Sequence, residues 1–455
     1  MTERSDRTSH TVDDRVDLRP SWLYSGRRVP RLVLRPLQAF LQTEYGGGLV
    51  LLVFTLAALT WANAPWHESY ERVWRSELAI NVGPWHVAHD VRQWINEGLM
   101  TIFFLVVGLE IKRELVSGEL SDRRAAALPV IAAIGGMVVP ASIYLAFNQT
   151  GASVRGWGIP MATDIAFAVA VLSLAAPKLP RGVRAFLLAL AIVDDIGAIL
   201  VIAIFYSGDI EWLGLLVAAG VLAAIRILRR VGVRSPPLYV ALGIAVWAAT
   251  FASGLHATVA GVALGLITPA IPSQRPKAVS IEARRIADQT DDEPDPPDAD
   301  AHHWLRLGRI SRQAVSPLAR LEHLLHPWSS YVIVPLFALA NAGVHITAEG
   351  LRAAATSSVT IGIMIGLVVG KPVGVTVASW VGVRAGLTRL PGGIGWRHVI
   401  GTGMVAGIGF TVSLIITDLA FTTRQQVPAK LGVLAASITA GVIGSLLLRR
   451  WVGRP

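Results

Sequence analysis

The 455-residue chain contains no cysteine, which rules out disulfides and thiolate-bound metals. It is also poor in charge. Asp, Glu, Lys and Arg make up 16% of it, against about 25% in a typical soluble domain. Apolar residues reach 53% and mean hydropathy is +0.53. An ordinary soluble fold is therefore excluded, and a chain built for the lipid bilayer is indicated. Met1 is not followed by a long apolar core. Residues 1–40 mix acids with eight Arg, unlike a signal peptide. They read as a cytoplasmic N-terminal extension, disordered at first, with an interfacial helix near "VPRLVLRPLQAFLQ". The net charge of +10 does not indicate nucleic acid. The basic residues sit mostly between apolar runs, where they set topology.

What the sequence does have is a series of those runs. A spanning helix needs about 20 apolar residues. Scanning gives about twelve candidates, near 47–64, 95–113, 125–147, 157–176, 182–206, 210–228, 237–253, 255–271, 327–344, 357–382, 396–418 and 429–448. Thirty-three of the 41 Lys and Arg fall on one set of connecting segments and six on the other. The richer set is cytoplasmic, so both termini are expected inside. The expected architecture is an all-α polytopic membrane protein with about 12 spans over residues 41–450, closed by a cytoplasmic tail, 451–455. Two connecting segments read as soluble. Within the external loop 65–94, "ELAINVGPWHVAHD" alternates around Gly-Pro and predicts a hairpin. The acidic run "DQTDDEPDPPDADAHH" within 272–312 has a composition that favours a disordered cytoplasmic loop without chemistry of its own.

Ionisable groups inside spans mark ion or proton pathways. Here they are few: Asp164, Asp194, Asp195 and Lys371, with Glu97, Glu110 and His256 nearer span ends. Asp194 and Asp195 are neighbours on one helix, so their side chains point about 100° apart. One can face a cavity while the other meets a partner. Lys371 lies in "GLVVGKPVGV", where Gly and Pro permit a close helix contact. A plain Asp–Lys pair would account for the lysine and one acid, and leave two acids over.

Asp164 interrupts "WGIPMATDIAFAVAVLSLA" together with Pro160 and Thr163. Thr-Asp before an apolar run reads as a helix N-cap. "AFAVAVLSLA" is only half a span, so the cap belongs mid-membrane and the span is broken. A matching break is expected in "GMVAGIGFTVSLIIT", at Gly407 and Gly409. Broken spans at corresponding places in two halves are the best sequence pointer to a transporter site. Spans three to five and ten to twelve each place the break centrally, on opposite starting faces, which is an inverted repeat.

Burial disfavours the charged form of a carboxylate, and a like charge adds to the effect. A coupled set of acids titrates as a group. Small hard cations prefer oxygen ligands, which the carboxylates, the Thr163 hydroxyl and freed carbonyls supply. One site that holds either a cation or protons, opened alternately to each face, is a cation/proton antiporter.

The segments "PMATDIAFAVAVLSL", "FLLALAIVDDIGAI", "FFLVVGLEIKREL", "PVIAAIGGMVVPA", "SGLHATVAGV", "RLEHLLHPW", "PLFALANAGV", "GKPVGV" and "GIGFTVS" resemble the NhaA sodium/proton antiporters, from about residue 40 to about residue 450. The resemblance implies that Asp194 and Asp195 are the paired carboxylates where Na+ binds and protons exchange, Asp195 being the more direct ligand. It implies that Asp194 can pair with Lys371, and that Asp164 and Thr163 mark the crossing of two broken helices. There Asp164 would face helix N-termini and Lys371 C-termini, each offsetting converging dipoles. The family exchanges more protons than sodium ions per cycle, so electrogenic export of Na+ or Li+ driven by external H+ is implied. Also implied are a bacterial inner-membrane location, no cofactor, and a homodimer formed through the 65–94 hairpin. Activity in the family rises with pH, and the matching residues at the cytoplasmic mouth are Glu110, Glu114, Arg320, Glu322, His323 and His326. His256 reads as a structural histidine. Three features depart from the family: the long arm, the acidic 272–312 insert, which would shift the pH profile, and Glu97 where Asp is expected.

Other membrane functions fit less well. An intramembrane aspartyl protease would show a GxGD segment and gives Lys371 no role. A proton-coupled symporter of a small organic solute is the alternative transporter. It would want Arg or aromatic groups, and the acid-bearing spans hold no Arg near the acids, Arg184 standing at the end of one of them. A channel would show rings of charge rather than one asymmetric cluster.

Overall fold

A computed structural model describes residue 43 and residues 45–451, apart from 83, 84, 178, 209, 234 and 292–296. The 1–40 extension and residues 452–455 lie outside the described residues.

Lipid offers no hydrogen bonds to the backbone, so long apolar segments satisfy their own as helices. In chain order these are α1 Gly46–Asn63, the short α2 His67–Trp74, the strands β1 Glu77–Val82 and β2 Trp85–Asp90, α3 Val91–Ser117 and α4 Arg123–Phe147. A 3-10 helix, Gly151–Met161, then leads into α5 Ile165–Ala175. Next come α6 Arg181–Phe205, α7 Trp212–Val231, α8 Pro236–Ala252, α9 Thr258–Ile267, α10 Pro276–Asp291 and α11 Pro297–Gln313. α12 Pro317–Trp328 passes through a π turn, Ser329–Ile333, into α13 Val334–Asn341. The chain closes with α14 Ala348–Thr356, α15 Ser358–Arg384, α16 Trp396–Ala406, α17 Phe410–Ala420 and α18 Thr423–Trp451.

Among the described residues, seven helices are long and apolar enough to cross a membrane, or nine if each bent pair is one span. The pairs are Gly151–Met161 with α5, bent by 47°, and α16 with α17, bent by 46°. Both breaks fall where the sequence places them. α8 and α9 are apolar but shorter. Length and composition thus do not reach the count of twelve.

The helices separate a protein-facing from a lipid-facing surface. α7 carries Trp212, Leu213 and Leu216 on its exposed side. A long apolar helix so little covered belongs on the outer ring, against lipid tails. Tighter contacts run through small residues. A side chain on Gly374 of α15 would put its Cβ 2.2 Å from the Gly135 carbonyl oxygen of α4. Only glycine at both positions allows these backbones to touch, and that contact seats Lys371 deep in the protein. β1 and β2 form an antiparallel hairpin in register from Glu77↔Asp90 to Val82↔Trp85. It is tethered by Arg92, whose guanidinium lies 3.2 Å from Glu71 of α2.

One expectation is corrected. Where composition favoured disorder across 272–312, the described residues form two packed helices, α10 and α11. Val279 and Ile286 of α10, seven apart and so on one face, are buried. Arg306 of α11 lies 2.9 Å from Glu282 of α10. The acidic, Pro-rich tip had dominated the composition and hidden a helical apolar period on either side. Its residues 292–296 lie outside the described set.

Candidate functional site

The two breaks meet each other. The Asp164 amide donates to the Ile408 carbonyl at 2.6 Å, joining the gap 162–164 to the gap 407–409. Asp164 caps α5, with Oδ1 accepting from the Phe167 amide at 3.0 Å. Its Oδ2 accepts from the Thr411 amide of α17, also at 3.0 Å. One carboxylate therefore serves two helix N-termini, where unpaired amides and the helix dipole favour negative charge. The close approach explains the glycines. A Cβ on Gly407 would lie 2.4 Å from the Leu367 carbonyl oxygen, and one on Gly409 2.3 Å from Ser413 Oγ. Neither residue has a positive φ, so space and not backbone conformation selects glycine.

Lys371 is fully buried where α15 recovers from a π turn, Gly366–Gly370. Its Nζ lies 2.7 Å from Asp194 Oδ2 and donates to the Met161 carbonyl, the last of the 3-10 helix. The Thr163 hydroxyl, also fully buried, is 2.8 Å from both Asp194 Oδ2 and the Ala406 carbonyl that ends α16. Its single proton serves one of them at a time. Thus Lys371 meets one helix C-terminus directly, and Thr163 meets the other. Asp194 and Asp195 are both buried, and each has an Oδ1 without a hydrogen-bond partner among the described residues. A buried, unpartnered carboxylate oxygen is costly unless something binds it. Among the described residues no three His, Asp or Glu side chains are grouped to hold a metal ion. A cation at Asp194 and Asp195 would therefore complete its shell with hydroxyl and carbonyl oxygens.

The residues predicted for the cytoplasmic mouth are brought together only in part. Arg113 of α3 forms ion pairs with Glu322 of α12 and with its neighbour Glu114, the latter at 3.5 Å. Glu114 also accepts from the Glu119 amide at 2.9 Å. Glu110 lies one turn before Glu114 on α3 and is half-buried. Arg320, His323 and His326 are exposed, and Arg320 has no ion pair among the described residues. Arg113 is the hub, and the sequence reading passed over it as one more basic residue beside a span.

A second polar cluster gathers Glu97 and His256, both noted near span ends, with partners that the sequence reading did not assign. Glu97 accepts from the Ala257 amide at 3.2 Å and lies 3.2 Å from His256 Nδ1, so His256 has the partner expected of a structural histidine. Glu97, His256, Asn96, Thr258 and Asp418 line a cavity of about 30 Å³. Beside it Lys430 is buried, 2.9 Å from Asp418 and 3.1 Å from the Asn341 carbonyl. Lys371 is therefore not alone among lysines in being buried. An acid and a lysine at adjoining span ends were the available signal.

Comparison with known proteins places this arrangement. The family described as Na+/H+ antiporter 1 matches residues 38–448. "Na(+)/H(+) antiporter NhaA 2" of Sorangium cellulosum (strain So ce56) is 47% identical over 443 residues, covering 94% of this chain and 93% of its own. "Na(+)/H(+) antiporter NhaA 3" of Frankia alni (strain DSM 45986 / CECT 9034 / ACN14a) is 44% identical over 426 residues, covering 93% and 90%. "Na(+)/H(+) antiporter NhaA" of Rhodopirellula baltica (strain DSM 10527 / NCIMB 13988 / SH1) is 45% identical over 432 residues, covering 93% and 95%.

Proposed function

This chain belongs to the Na+/H+ antiporter 1 family, and from that premise and the geometry of its centre we propose that it exchanges Na+ for H+ across a membrane. Proteins of this kind are transporters and not enzymes. The observation that carries the reading is the crossing itself. Asp164 holds two broken helices together, and Asp194 and Asp195 sit beside it, each with one oxygen unpartnered among the described residues.

The exchange follows from competition. Asp195 is the primary cation ligand, helped by Asp194, the Thr163 hydroxyl and carbonyls freed at the breaks. When a proton occupies Asp195 and Asp194 turns to Lys371, the cation loses its anionic ligands and leaves. Asp194 alternates between Lys371 and the cation: pairing with the lysine releases Na+, and Na+ binding frees the lysine. Asp164 keeps its charge beside the helix N-termini throughout, whereas Lys371, once freed from Asp194 by Na+, gives up its proton, so that with the proton lost by Asp195 two protons move against one Na+.

On this reading the chain has twelve spans arranged as inverted repeats, with both termini in the cytoplasm of a bacterium and the helices in its inner membrane. Cytoplasmic Na+ or Li+ leaves and external H+ enters, with more protons than cations per cycle. The transport is then electrogenic. Glu110, Glu114, Arg113 and Glu322, with Arg320, His323 and His326 around them, form the cytoplasmic mouth that sets the pH response. The β1–β2 hairpin pairs two copies.

A flux assay in proteoliposomes tests the proposal. Adding Na+ or Li+ should collapse an imposed pH gradient without any organic solute, and Asp195→Asn should abolish the effect. Collapse that needs a solute, or an Asp195→Asn variant with unchanged flux, would overturn it.

A further inference from the structure

The α10–α11 hairpin lies apart from the crossing of the broken helices, yet its surface is organised. Its ends are closed against each other: the Gln274 amide donates to the Gln313 carbonyl at 3.1 Å and the Leu318 amide to the Pro269 carbonyl at 3.0 Å. It therefore leaves and re-enters the helical body at one place, between α9 and α12. This roots it at the edge of the membrane-embedded part.

α10 turns one stripe inward and another outward, and α11 exposes a stripe of its own. On α10 the buried stripe is Val279 and Ile286. The outward stripe is Lys277, Ile281 and Arg284, four and three residues apart and so on one face, all exposed. On α11 the outward stripe is Leu305, Arg309 and Arg312, at the same spacing, with Trp304 beside it. Ile281 is 61% exposed, Trp304 53% and Leu305 68%. Lys277, Arg284, Arg309 and Arg312 have no ion-pair partner among the described residues, whereas Arg285 and Arg306 reach Glu282. The acids are segregated. Residues 288–300 hold seven Asp and Glu and no Lys or Arg. The hairpin thus has a basic root carrying bare apolar side chains and an acidic tip.

Unpaired Lys and Arg alternating with Trp, Leu and Ile on exposed helical faces suit the headgroup layer of a bilayer. There the charged ends meet anionic lipid and the apolar side chains enter below them. We propose that this hairpin docks on an anionic phospholipid surface through Lys277, Arg284, Arg309 and Arg312, with Ile281, Trp304 and Leu305 inserted. Each basic contact is worth a factor of about five in lipid partition at low ionic strength. The inference needs only that the chain lies in a membrane and is independent of which ions it carries.

The absence of cysteine supplies a clean test. Gly308 is exposed on α11 with open space around it, so Gly308→Cys takes one polarity-sensitive fluorophore in the full chain. The labelled protein is placed in nanodiscs of phosphatidylcholine alone, or of phosphatidylcholine with phosphatidylglycerol, and quenched with iodide. The proposal predicts a blue shift and several-fold weaker quenching in the anionic discs. Both effects should disappear at high salt and in the Lys277→Gln, Arg284→Gln, Arg309→Gln, Arg312→Gln variant, while its melting temperature in detergent stays that of the parent. Quenching that is equal in both discs overturns the proposal. Protection that is equally strong in both, pointing to another part of the chain as occupant, overturns it too. So does protection that survives loss of the four charges.

Discussion

Asp194 and Lys371 make the clearest case at the scale of single residues, because each is fully buried and each is charged by nature. Two such groups 2.7 Å apart offset each other's desolvation, and removal of one strands the other. Breaking a buried pair costs about 3–5 kcal/mol. Lys371→Ala and Asp194→Ala should therefore each lower the melting temperature in detergent by many degrees. The double variant should be less destabilised than the sum of the two, by roughly 1 kcal/mol or more. A strictly additive cycle would show that the two groups do not pair in the folded protein. Glu71, outside the membrane helices, carries a pH prediction of the opposite character. Burial alone would raise its pKa, but the Arg92 and Arg75 guanidiniums outweigh that and hold it below the ordinary value of 4.5. A depressed carboxylate stabilises the fold above its unfolded pKa, and that contribution fades as pH falls through the folded one. The pair is half-exposed, so it is worth under about 1 kcal/mol. Glu71→Gln should be slightly less stable than the parent at neutral pH and indistinguishable from it in acid. A difference that persists below the folded pKa would show that the ion pairs are not its source.

At the scale of elements, the broken helices were legible and the π turns were not. Thr163 and Asp164 ahead of a half-length apolar run announce a cap inside the membrane, and Gly407 and Gly409 announce a tight approach. No residue pattern announces the π turns at Ile95–Leu99, Ser329–Ile333 and Gly366–Gly370, which arise where a helix adjusts to its neighbours. The carbonyls of Met161, Ala406 and Ile408 were equally invisible, since backbone oxygens carry no signature in sequence. Asp164, Asp194, Asp195 and Lys371 were found because charge within oil is conspicuous. Arg113 and Lys430 were passed over because charge at a span end is ordinary. The crossing yields a steric prediction. Gly409→Val should disable transport several-fold more than Gly409→Ala, because the Cβ of either meets Ser413 and the Ala162 carbonyl, and the two added methyls of valine demand further room at a contact that is already too close. Equal activity in the two would show that the contact yields freely.

At the scale of the whole molecule, the helices form a lipid-facing shell around a small polar centre, and the account stands on what that centre binds. Its claim is that one set of buried carboxylates takes either Na+ or protons. Calorimetry of Na+ binding to the purified protein, repeated in buffers of different ionisation enthalpy and across a pH series, measures the competition without any membrane gradient. The account predicts that Na+ binding releases protons, that Na+ affinity falls as pH is lowered, and that Asp195→Asn loses both the binding and the release. Na+ binding with no proton release and an affinity independent of pH would contradict it.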